Sequence, residues 1–233
     1  MGTSTNYNAP PNWNGNKATL TRHSGQRIGQ NGIASFVGNH IDSNGGKERM
    51  VSGRGILGSG ATAKMTATRI GSFFSDVLQH GFVDALRRND LQHLIGKPIK
   101  DIFRAIQELW DIPGNSIDET DSRAALIDLF EEIENDAETA NIDEVLQQKT
   151  TAQLLIRYFG YYIFEQIQRI HYEDEIKNQI GDNPERHFNE IKDFIQLKIQ
   201  SIVFDEDIAT IDWFGNSGRA IIDRVSKSVF EVF

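Results

Sequence analysis

Leu154-Leu155-Ile156-Arg157-Tyr158-Phe159-Gly160-Tyr161-Tyr162-Ile163-Phe164-Glu165-Gln166-Ile167-Gln168-Arg169-Ile170 is the stretch on which the fold turns. Its apolar and aromatic residues cover most of a helix circumference rather than one stripe, which predicts a helix enclosed by other helices. Thr150 and Gln153 stand just before it at the spacing of a capping box, in which each side chain accepts the other residue's backbone N–H. Arg157, Glu165 and Arg169 interrupt the run, and no apolar stretch approaches the roughly 20 residues of a membrane span.

On either side the periodicity stays helical. Ile70, Phe73, Phe74, Val77 and Leu78 make one stripe; Phe82 and Leu86, then Leu91, Leu94 and Ile95, make a shorter pair. Pro98 opens a segment whose Ile99, Ile102, Phe103, Ile106, Leu109 and Trp110 share a face, and Pro113-Gly114 ends it. Ser116 and Glu119 form a second capping box, with Ala124, Leu126, Ile127, Phe130 and Ile133 as the buried side that follows. Asn183-Pro184 reads as an N-cap leading into Phe188, Ile191, Phe194, Ile195, Ile199 and Ile202. A last helix is expected from about Asn216 on Ile221, Ile222, Val225, Val229 and Phe230. No hairpin signal or repeat interrupts the series. The expectation is an all-α protein: one helical-bundle domain of about six to eight helices over residues 61–233.

Residues 1–60 read differently. They hold twelve of the twenty glycines and carry six Lys/Arg against two Asp/Glu, whereas the remainder carries 18 against 31. The expectation is a flexible, Gly-rich, basic tail, with one short helix near residues 30–42 (Ile33, Phe36, Val37, Ile41) that orders on a partner. A coil of that length reaches roughly 45 Å.

Composition excludes several chemistries. There is no cysteine, hence no disulfide, thiol catalysis or cysteine-ligated metal, which suits a reducing cytoplasm. No secretory signal is expected, since the first residues offer neither a charged n-region nor an apolar h-region. A net charge of −9 opposes bulk nucleic-acid affinity, leaving only the dispersed basic residues Arg22, Arg27, Lys47, Arg49 and Arg54 for a weak nucleic-acid reading. Gly53-Arg54-Gly55-Ile56-Leu57-Gly58 matches a dinucleotide fingerprint in letters, but no buried strand precedes it. None of the six histidines pairs at His-x-x-x-His spacing. Asp205-Glu206-Asp207 lacks the glycine and closing Glu of a calcium loop. Eleven carboxylates against one arginine between Asp118 and Glu144 read first as a solvated face and second as a docking surface for a basic partner. No metal or cofactor of the chain's own is expected, and no catalytic constellation stands out.

Met1-Gly2 carries chemistry by position. Methionine is normally removed before a residue as small as glycine, exposing an α-amine whose pKa near 7.7–8.0 leaves about 10–20% nucleophilic at pH 7. A lysine amine is some hundreds of times scarcer in that form. N-myristoylation wants Ser or Thr at position 6, where this chain has Asn6.

Met1-Gly2-Thr3-Ser4, Pro10-Pro11-Asn12-Trp13 and the Gly/Arg-rich linker together resemble the QatB component of Qat anti-phage defence systems. The body extends the resemblance through Arg69-Ile70-Gly71, Phe74 and Val77, and Gly81-Phe82-Val83-Asp84-Ala85-Leu86-Arg87. Asp90-Leu91, Leu94-Ile95-Gly96-Lys97-Pro98, Asp101-Ile102-Phe103, Ile117-Asp118-Glu119 and Ile191 with Phe194-Ile195 continue it. Two features depart from the pattern: the Pro-rich tail is short, and Asp111-Ile112-Pro113 stands where Cys-Pro is usual.

The resemblance implies an operon with an ATPase, a QueC-like enzyme and a TatD-like nuclease. It also implies that the QueC-like partner uses ATP to join a 7-deazaguanine to the N-terminal glycine. Carried over by position, Gly2 is the acceptor. Gly2, Thr3 and Ser4, with Trp13 and Phe36 from the same stretch, are the expected partner contacts. ATP and the deazaguanine belong to the partner, and the competing expectation is an unmodified helical scaffold.

Overall fold

The computed structural model describes residues 13–23, 26–56, 60–110, 112, 114–138, 141–178, 185–204, 208 and 211–233, without the side chains of Trp13 and 173–178. Among them are eleven α-helices and no strand. In chain order they are α1 (Trp13–Arg22), α2 (Gln30–Ser43), α3 (Lys47–Val51), α4 (Ala61–His80), α5 (Phe82–Arg88) and α6 (Ile99–Leu109). There follow α7 (Ile117–Ala137), α8 (Ile142–Gln147), α9 (Thr151–Asn178), α10 (Arg186–Ile199) and α11 (Asn216–Glu231). The all-α expectation holds; eight helices, α4 to α11, lie in residues 61–233, and the total exceeds six to eight because α1, α2 and α3 add three more from residues 1–60.

The stretch quoted first is the axis of the molecule. The Thr150 N–H donates to Gln153 Oε1 at 2.8 Å and the Gln153 N–H to Thr150 Oγ1 at 3.1 Å, which starts α9 where the capping box predicts. At 28 residues α9 is about 42 Å long. It packs against α1, α4, α7, α10 and α11, and Tyr158, Phe159, Tyr161 and Phe164, which point to different sides of the helix, are all buried. Gly160 lets α10 come close: a Cβ there would stand 2.4 Å from Ile199 Cδ1.

A second core layer joins α4, α5, α6 and α7 through aromatic rings. Phe103 stacks on Phe130 with centroids 4.4 Å apart, and Phe73, Phe74, Phe82 and Trp110 meet them or one another edge-on or tilted. The Ser116–Glu119 box is made in both directions. Small face errors appear at helix ends. Leu109 is 57% exposed because the α6 face continues from Ile106 to Trp110, four residues on, and leaves Leu109 outside. Leu78 and Ile95 are also exposed, and in α7 Ala125 and Leu129 are buried where Ala124 was expected. The Asn183-Pro184 cap lies outside the described residues.

Of residues 1–60, the described 13–23 and 26–56 pack on the body. Leu20, Ile28, Ile33, Phe36, Val37, Ile41 and Met50 are all buried in the common core. α1 packs on α2 and α9, α2 on α10, and α3 on α11. Polar bonds reinforce the contact: Asn16 Nδ2 donates to Phe36 O at 3.0 Å, and the Ile28 N–H to Glu190 Oε2 at 3.0 Å. Phe36, Val37 and Ile41 supply apolar surface that the large body covers, at about 1.5–3 kcal/mol per buried side chain.

Candidate functional site

Gly2, Thr3 and Ser4 lie outside the described residues. Trp13 opens α1. Gly2 stands eleven residues before it, so at full extension its nitrogen lies within about 40 Å of that helix. Phe36 is not a surface contact: it is fully buried, its ring edge-on to His171 with centroids 5.1 Å apart. The partner-contact assignment for Phe36 is therefore corrected to a core residue, because α2 turns that face onto α9 rather than to solvent.

Beside Phe36 sits a buried polar group. Gln166, on α9 and fully buried, accepts through Oε1 from Asn44 Nδ2 at 3.3 Å and faces His40 Nε2 at 3.2 Å. A carboxamide oxygen only accepts, so the His40 proton is on Nε2. Burial lowers the His40 pKa to about 4, against the smaller upward pull of Gln166. Burial, then His40 and Lys17, lowers His171 to about 3. Both rings are neutral at pH 7 and act as packing groups.

In the unfolded chain each imidazole takes a proton as the pH falls through 6.5, while the folded protein resists until about 4 and about 3. The stability is therefore full above 6.5 and is lost as the pH falls through that window. His40→Gln, which can still donate to Gln166, should lose about 2 kcal/mol less than wild type between pH 7 and pH 5 in urea titrations. Identical losses in both proteins would contradict a buried neutral His40.

The junction between α3 and α4 is held by Asp118, near the start of α7. Its carboxylate accepts from the Gly60 N–H (3.0 Å), the Thr62 N–H (2.8 Å) and the Tyr162 hydroxyl (2.5 Å). Gly60 has φ +77, a left-handed conformation that glycine adopts without strain. Burial, then the Asp118 charge, pushes the Tyr162 pKa well up, so the phenol stays a donor. Asp118→Ala leaves two backbone N–H groups and a buried hydroxyl without this acceptor. Chemical denaturation should record a loss of about 3 kcal/mol, with Asp118→Asn intermediate.

The acidic run of α7 is largely tied inward. Asp121 pairs with Arg169 at 2.7 Å, Asp128 with Lys192 at 2.9 Å, and Glu132 with Lys149 and Arg157 while accepting from the Tyr161 hydroxyl. Burial and the neighbouring Asp128 push the Glu165 pKa up. These pairs weld α7 to α9 and α10. Among the described residues no three His, Cys, Asp or Glu side chains converge as metal ligands would, and no helix is long and apolar enough to cross a membrane.

A family model described as "Qat anti-phage system associated protein QatB" matches residues 57–233. No curated protein matches the chain, and no solved structure does.

Proposed function

We propose that this chain, which belongs to the QatB family of Qat anti-phage systems and is thus an anti-phage defence protein, acts without an active site of its own. Its helical body docks the QueC-like partner of the operon and offers Gly2, after removal of Met1, for conjugation to a 7-deazaguanine. The partner activates the deazaguanine carboxylate with ATP. The neutral Gly2 amine attacks the activated carbonyl, an amide forms, the activating group departs and the ammonium proton is lost to solvent.

The observation that carries the reading is the pairing of family membership with an N-terminal glycine. An α-amine with pKa near 7.7–8.0 is far more often nucleophilic at pH 7 than any lysine, and glycine has no side chain to obstruct approach. The body suits a carrier role. Its buried His40, His171, Asp118 and Asp121 are engaged in packing, hydrogen bonding or ion pairing rather than gathered in a cleft.

The deciding measurement is the intact mass after co-expression with an active QueC-like partner. Loss of Met1 together with a deazaguanine-sized gain mapped to Gly2 is the expected result. Co-purification with an unchanged mass would assign the chain the scaffold role instead. The operon ATPase and TatD-like nuclease are the further partners this reading anticipates.

A further inference from the structure

Phe214 is 65% exposed, yet the turn that carries it is firmly held. Its neighbour Trp213 is buried against α4, where Nε1 donates to Ser75 Oγ at 3.0 Å. The indole fits only because residue 71 is glycine: a Cβ there would fall 2.3 Å from Trp213 Cε3. Asp212 Oδ1 accepts from the Phe214 N–H (3.2 Å) and the Gly215 N–H (3.1 Å), closing the turn. A large aromatic ring is thus presented to solvent on a turn that has already lost its conformational freedom. That is how a binding anchor is built, since little ordering remains to oppose association.

Phe214 separates two hollows along one face of α4. The larger, about 460 Å³, has Ala61, Met65 and Ile222 on its apolar side. The other, about 260 Å³, runs past Ser72, Asp76 and Gln79. Ala61 to Gln79 spans about 27 Å of helix, the footprint of a polypeptide segment rather than of one small molecule. Met65, at 47% exposure, and Phe214 are residue types that anchor interfaces.

Charge selects the occupant. The chain's net charge is −9, yet the larger hollow is lined by Lys64 and Arg219 against Asp223 alone, while Asp76 and Asp212 line the other. Lys64 is bound to Asp223 at 2.5 Å, whereas Arg219 is exposed and has no carboxylate within ion-pair distance among the described residues. Arg54, exposed and next to the lining residue Gly53, adds to the same sign. We propose that this α4–Phe214 groove is the docking site for a segment of the QueC-like partner that sets an apolar side chain beside Phe214 and a carboxylate on Arg219. The proposal rests on the partner reading above.

The test is the affinity of the full-length chain for the purified QueC-like protein of the same operon, by calorimetry. Phe214→Ala should weaken binding about tenfold or more. Arg219→Glu should do so as well and reduce the salt dependence. Leu197→Ala, an equally exposed apolar residue on α10, should change nothing. Both groove residues are exposed, so melting temperatures should stay near wild type and a folding defect would be visible separately. Wild-type binding unaffected by either groove substitution overturns the groove alone. Absence of any wild-type binding overturns the partner reading together with it. Self-association that Phe214→Ala abolishes, without effect on the partner, overturns it in favour of a second copy of this chain.

Discussion

Gly2→Leu is expected to retain Met1, remove the mass gain completely and abolish phage protection in cells carrying the whole operon. Two physical effects act together. Leucine is too large for methionine removal, so the amine at the reacting position is displaced by a whole residue. A side chain also obstructs approach to nitrogen where glycine leaves it open. Gly2→Ala separates the two, because methionine is still removed before alanine while a Cβ is added. A strong but incomplete loss there would assign the effect to crowding at the nitrogen. The fold should be indifferent to either change, since Gly2 precedes α1 by eleven residues; unaltered circular dichroism and melting temperature would demonstrate this. Full modification of Gly2→Leu would remove Gly2 from the mechanism.

The second large effect concerns Phe36. Phe36→Ala should destabilise the protein by about 3–5 kcal/mol, a large share of the roughly 5–15 kcal/mol that holds a typical domain together. For a chain of this size that corresponds to a drop of some 6–20 °C in melting temperature. The ring is fully buried and edges onto His171 on α9, so truncation opens a cavity at the centre of the α1–α2–α9 contact. Urea or thermal unfolding measures it directly. An unchanged midpoint would mean that α2 is dispensable to the body and would restore its reading as part of a tail. The same experiment sets the length of the leash in the proposed mechanism. If α1–α3 belong to the body, Gly2 operates from Trp13 and not from residue 60, and a partner must bring its active site within about 40 Å of α1.

Much was legible along the chain. Helices α4, α6, α7, α9 and α11 announce themselves because each is long enough to repeat its apolar face and several carry a cap read from side-chain chemistry alone, as at Thr150/Gln153 and Ser116/Glu119. Family motifs spread over the body pointed to the group whose model matches residues 57–233. The candidate nucleophile follows from its position and the acidity of an α-amine. Missed were α1, α3 and α8 and the destination of residues 13–56. Glycine content and basic charge report how little that stretch can bury by itself, not how much the rest of the chain can bury for it. Gly71 and Trp213 lie far apart in sequence, so nothing local signalled that one exists to seat the other.

The sequence by itself determined helix type, the centrality of α9 and the absence of cysteine chemistry. Each depends on composition or on spacings of three or four residues, which local backbone geometry enforces. Only the tertiary structure decided that Phe36 is core rather than contact, that Asp118 fastens the α3–α4 junction, and that Phe214 is held outward over a hollow that Arg219 also lines. Those outcomes depend on which distant surfaces meet, and burial and charge compensation are settled between segments rather than within them.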